Sequence, residues 1–119
     1  MKRRTVALLV VLAAALVARV AAADIVEIRL HGHYFSEPAT VQITVMVEPD
    51  AANRVLRVEA DGDQMYRSTD VELSGNTESR VHTVEFRNLE AGAYVLRAEV
   101  LSADKVRAVA TSELMVTGR

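Results

Sequence analysis

In Leu89-Glu90-Ala91-Gly92-Ala93-Tyr94 a glycine-containing turn separates two runs in which apolar side chains recur at every second position. Downstream, Tyr94, Leu96, Ala98 and Val100 form one face of a strand; upstream, in Val81 to Phe86, Thr83 faces away from Val84 and Phe86. A period of two sends successive side chains to opposite faces of a pleated strand, so one face can be buried while the other stays in water. Tyr94 is the first residue of that apolar face after the turn.

The same alternation extends toward both termini. Val26, Ile28 and Leu30 alternate with Glu27, Arg29 and His31, and Val41, Ile43, Val45 and Val47 alternate with Gln42, Thr44 and Met46. The turn Pro49-Asp50-Ala51-Ala52-Asn53 leads to Leu56, Val58 and Ala60, which alternate with Arg57 and Glu59. Asp61-Gly62 then supplies the positive-φ residues of a tight hairpin. A short return strand is expected over Met65 to Ser68 and another over Val71 to Leu73, although residues 63–80 also fit one bulged strand or a loop. Ser74-Gly75-Asn76 marks a turn, and Ser102-Ala103-Asp104-Lys105 reverses the chain into a last strand over Val106 to Val116. No stretch sustains a helical period. About seven short strands with turns every 8 to 12 residues or so predict an all-β antiparallel sandwich or small barrel over residues 24–119.

The turn at residues 89–94 favours the sandwich. Leu89, Gly92 and Tyr94 resemble the tyrosine corner of Greek-key sandwiches, in which the phenol hydroxyl bonds back to the backbone a few residues upstream. The chain thereby resembles bacterial immunoglobulin-like or fibronectin type III-like domains over most of residues 25–117. Antibody domains carry a Cys two positions after that Tyr; here the position is Leu96, so an apolar contact with Ile43 and Leu56 replaces the bridge. The resemblance implies a Greek-key immunoglobulin-like fold and transfers no ligand.

The first 23 residues have the three parts of a secretory signal peptide. Lys2, Arg3 and Arg4 start it, Val6 to Ala18 form an uncharged apolar run, and Ala21-Ala22-Ala23 precedes Asp24. The apolar run is shorter than the roughly 20 residues that a membrane-spanning helix takes, and Arg19 ends it. Cleavage after Ala23 is expected, with residues 24–119 periplasmic or secreted and not stably inserted in a membrane. Residues 1–23 hold four basic residues and no acid, so of the 14 basic and 16 acidic residues the mature chain keeps ten and sixteen, a formal net charge of −6. That charge, with no basic cluster, disfavours nucleic acid and anionic lipid. The chain has no Cys, which excludes disulfides, thiolate metal sites, a catalytic thiol and a lipidated cysteine.

Few residues bring chemistry. His31-Gly32-His33 spaces two imidazoles as neighbours on one strand face, a pair that exported copper or zinc proteins use, with His82 or Glu37 as nominal third ligands. Two solvated histidines at a strand end explain the pair without a metal, and strand direction sets His82 at the wrong end. Asp61-Gly62-Asp63 with Asp70 offers carboxylates, but a hairpin turn accounts for them without calcium. No serine lies in a Gly-x-Ser-x-Gly elbow, and no glycine-rich phosphate loop is present. Phe86 and Tyr94 fall in the core pattern. Tyr34 and Tyr66 are candidates for a partner-facing patch, the alternative being that they pack under their own loops.

The expected function is a non-catalytic exported binding or scaffold module without a cofactor. It contacts another envelope or extracellular protein through a sheet edge, a face or loops. The alternative is a periplasmic metal-binding protein using His31 and His33.

Overall fold

A computed structural model describes residues 25–118. These form β1 (Val26–Arg29), β2 (Tyr34–Ser36), β3 (Ala39–Val47), β4 (Val55–Gly62), β5 (Tyr66–Glu72), β6 (Val81–Leu89), β7 (Gly92–Leu101) and β8 (Val106–Thr117). The leader assigned to residues 1–23 lies outside the described residues.

The strands make two sheets, one of three in the order β1-β3-β6 and one of five in the order β2-β8-β7-β4-β5. Neighbours are antiparallel except β2, which pairs with β8 in parallel. Period-two patterning explains the layering: Val41, Ile43 and Val45 of β3 belong to the same buried cluster as Leu56 and Val58 of β4 and Leu96, Ala98 and Val100 of β7. Each of the valine, leucine and isoleucine side chains contributes about 1.5–3 kcal/mol by leaving water. Leu96, Ile43 and Leu56, each at 0% exposure, occupy this core together.

Four local features differ from the alternation pattern. Tyr34–Ser36 is a strand, β2, because the chain crosses from one sheet to the other and bonds along β8. Met115 donates its N–H to the His33 carbonyl (2.7 Å) and Glu37 donates to the Thr117 carbonyl (2.8 Å). Three residues are too few to show a period. Residues 66–72 form one continuous strand in register with β4 from Asp61↔Tyr66 to Val55↔Glu72, in place of two short ones. Strand β6 continues three residues beyond Phe86 through a bulge, where the steps from Val41 to Ala39 on β3 span Phe86 to Leu89 on β6. Asn88 takes up the extra residue at φ 59°. The bulge changes the parity, so that Leu89 is buried beside Phe86 while Asn88 is exposed. Gly62, finally, does not adopt a positive φ. A Cβ there would lie 2.7 Å from Tyr94 Cε1, so the residue is small to admit the Tyr94 ring.

The turns at the two ends are held by polar contacts. Tyr94, 3% exposed, donates its hydroxyl to the Glu90 carbonyl (2.7 Å), closing the β6–β7 turn in which Gly92 has φ 151°. Burial raises the Tyr94 pKa above its ordinary value, with the nearby Glu90 charge acting in the same direction. At the opposite end Asn53, 1% exposed, donates to the Glu48 carbonyl (3.0 Å) and accepts from Arg107. Arg107 also reaches Asp50 (3.3 Å), so the β3–β4 loop is tied to β8.

Candidate functional site

The outward face of the five-stranded sheet gathers most of the exposed apolar side chains. Residues directly paired across strands share a face, so the register lays out its rows. One row runs Tyr34, Met115, Ala93; the next Glu113, Val95, Asp61, Tyr66; then Thr111, Arg97, Glu59, Ser68; and last Val109, Glu99, Arg57, Asp70.

The first two rows border an open groove of about 590 Å³. His33 and Tyr34 stand on one side of it, and Asp61, Gly62 and Asp63 of the β4–β5 hairpin on the other. Segments of β7 and β8 around Val95 and Met115 form its floor. Tyr34 is 80% exposed, Tyr66 55%, Val95 47% and Met115 39%. Exposed apolar groups gathered in one place mark a contact surface more often than scattered ones do. Tyr66, beyond the groove on the edge strand β5, donates its hydroxyl to Glu59 (2.8 Å), and that carboxylate raises the tyrosine's pKa.

Charge divides the face. In the last two rows Arg57 contacts Asp70 through two hydrogen bonds (2.9 and 3.2 Å), and Arg97 lies 2.9 Å from Glu99. Around the groove, Asp61, Asp63 and Glu113 form no ion pair among the described residues.

The histidines expected on one strand face occupy other surroundings. Strand β1 ends at Arg29, so His31 and His33 lie in the crossing loop, with Gly32 between them. His31 is exposed. His33 Nδ1 lies 2.9 Å from the Glu113 carbonyl at the groove rim. His82 sits on the row of Val45 and Ile28, one residue before the β1 end and not at the far end that strand direction alone suggests, with its Nε2 buried and unpartnered. Among the described residues no three His, Asp or Glu side chains are grouped to hold a metal ion. Asp70, for its part, is engaged by Arg57 within β5 and does not join Asp61 and Asp63. Tyr34 and Tyr66 are both exposed and do not pack under their loops. The sequence pattern did not single out Val95, Met115 and Glu113; an exposed Val and Met at outward positions of long strands are the signal that points to them.

No protein-family model matches the chain, and no curated protein matches it. Two solved structures of the CARDB domain of the PF1109 protein from Pyrococcus furiosus are similar to it. One, in complex with di-metal ions, has TM-score 0.50 and 18% identity over 79% of this chain and 92% of that one. The other, a solution NMR structure, has TM-score 0.56 and 19% identity over 77% and 92%. The fold is an immunoglobulin-like β-sandwich. At these identities the likeness concerns fold alone.

Proposed function

We propose that the chain is an exported, non-catalytic binding module, a Greek-key sandwich of the bacterial immunoglobulin-like or fibronectin type III-like kind. It docks a protein of the cell envelope or extracellular space on the outward face of its five-stranded sheet. One observation carries this reading: Tyr34, Met115 and Val95 stand exposed beside one groove, with Tyr66 next to it on the second row. The three-part leader at residues 1–23 supports export to the periplasm or outside. The CARDB structure with di-metal ions is a precedent for a metal on this fold, but His31 and His33 gather no third ligand among the described residues. Docking is therefore preferred to metal handling.

A photo-crosslinking residue placed at Tyr34, and in a second variant at Arg57, tests the proposal in the producing cells. A discrete protein adduct at Tyr34 and none at Arg57 is expected. Equal adduct patterns at the two positions, or none at either, would refute docking on the groove end. N-terminal sequencing of the same material checks for a start at Asp24.

A further inference from the structure

We infer that the groove takes a cationic extended polypeptide segment, in which lysine or arginine side chains pair with Asp61 and Glu113 while an apolar residue lies over Val95. This rests on the docking reading above and names the chemistry of its partner. The argument begins with the second row of the face, where Val95 lies directly between Asp61 and Glu113. Adjacent strands are about 4.8 Å apart, so the two carboxylates are carried on backbones about 10 Å apart. That separation is set across the strands, and no three donors to a metal ion are grouped among the described residues. It matches two basic side chains three positions apart in an extended polyproline-II-like segment, which advances about 3.1 Å per residue and returns to the same face every third residue.

Charge complementarity selects the sign. Asp61, Asp63 and Glu113 have no ion-pair partner among the described residues, whereas the carboxylates of the last row are matched by arginines. The basic side chains nearby form no ion pair with the groove acids among the described residues. His33 turns its Nδ1 to a backbone carbonyl, Arg97 is paired with Glu99, and Arg67 lies on the inward parity of β5, where its charge acts on Tyr94. A cation entering here meets the face of the 80% exposed Tyr34 ring as well, and aromatic faces attract lysine and arginine. Met115 and Val95 supply apolar surface against the stems of those side chains. An acidic segment would meet three uncompensated carboxylates, and a purely apolar one would bury them unpaired.

The test uses the full chain as processed by its cells and a fluorescein-labelled peptide of three Lys-Leu-Ser repeats, with a Glu-Leu-Ser counterpart, followed by anisotropy. The lysine peptide should bind and the glutamate peptide should not. Asp61→Asn with Glu113→Gln should weaken binding at least about tenfold, because each charge-assisted contact carries a large share of such an affinity. Removing two charges elsewhere, by Glu72→Gln with Asp104→Asn, should change it less than about twofold. Amide shifts on binding should centre on Val95 and Met115, a readout that also shows whether each variant is folded. Equal weakening by both pairs of substitutions would reduce the effect to net charge and overturn the inference, as would failure of the lysine peptide to bind. If the Tyr34 crosslink to a partner forms while the lysine peptide fails, the docking face stands and its cationic occupant falls; if neither occurs, both fall. A Tyr34 adduct between two copies of this chain would assign the groove to self-association and overturn the inference.

Discussion

The outward face of the five-stranded sheet has two unlike ends built by one alternating pattern. At the end bearing Arg57 and Glu99, Arg57 faces Asp70 and Arg97 lies against Glu99, so opposite charges meet within the chain. At the groove end the residue between Asp61 and Glu113 is Val95, and the neighbouring row presents Tyr34 and Met115. Neighbours on the face decide the outcome: Asp70 lies opposite Arg57 and Glu99 two residues from Arg97 on β7, whereas Asp61 and Glu113 flank a valine and are left for a ligand. The first end is complete in isolation. The second keeps apolar surface in water, and covering that surface is favourable.

The two ends also differ in what holds them, and substitutions can separate these supports. The largest expected effect is at the matched end, where Asn53→Ala removes a buried side chain that joins the Glu48 carbonyl to Arg107. Losing both bonds and leaving Arg107 without its amide partner should cost about 3 kcal/mol in urea unfolding. A loss as small as that of a surface substitution would show that water replaces the amide. Next is Gly62→Ala, which forces a methyl to 2.7 Å from the Tyr94 ring and should cost about 2 kcal/mol. Amide shifts around Asp63 and Tyr94 would report the displaced ring, and an unchanged spectrum would contradict the close approach.

Tyr94→Phe should cost about 1 kcal/mol, since it removes the hydroxyl bond to Glu90 and keeps the ring. It should also alter the response to alkali. The folded pKa of Tyr94 is raised above its unfolded value by burial, so its contribution is fully present below the unfolded pKa, near 10 for a free tyrosine. It is lost as pH rises through the folded pKa. Midpoints measured on either side of that range should fall less for Tyr94→Phe than for the parent chain. An identical fall in both would assign the alkaline loss to other groups.

The contrast between the ends bears on what the sequence alone can disclose. Strands β3, β4 and β7 are legible because each is long, flanked by turn residues and apolar at every second position. Strand β2 is not, because its three residues are held by bonds to distant β8 rather than by a local pattern. The burial of Leu89 is hidden for another reason, since the Asn88 bulge reverses the parity that Val84 and Phe86 set. Asp61-Gly62 signals a hairpin, and a hairpin forms, but its glycine is explained by Tyr94 across the sheet. The groove shows the same limit. Tyr34 and Tyr66 can be nominated one at a time, whereas the row of Glu113, Val95 and Asp61 exists only once three distant strands are in register. Local composition thus discloses elements, and long-range register decides which residues meet.

The smallest expected effect sharpens the contrast most directly. Arg57 and Asp70 make the best-formed ion pair of the matched end, with two hydrogen bonds that raise the guanidinium pKa above its ordinary value. Both side chains are nevertheless nearly half exposed to water, where the attraction of the charges is offset by solvation and by the entropy of holding the two side chains still. Arg57→Ala, Asp70→Ala and the double substitution should therefore leave the urea midpoint within replicate scatter of the parent. They should also leave binding of the lysine peptide at the groove unchanged. A midpoint that fell as far as that of Gly62→Ala would mean that the pair supports the sheet. The two ends would then differ in rigidity, and the exposed apolar rows would no longer be the feature that sets the groove apart. An unchanged midpoint, with peptide binding intact, confines the matched charges to solubility and leaves recognition to the end where they are missing.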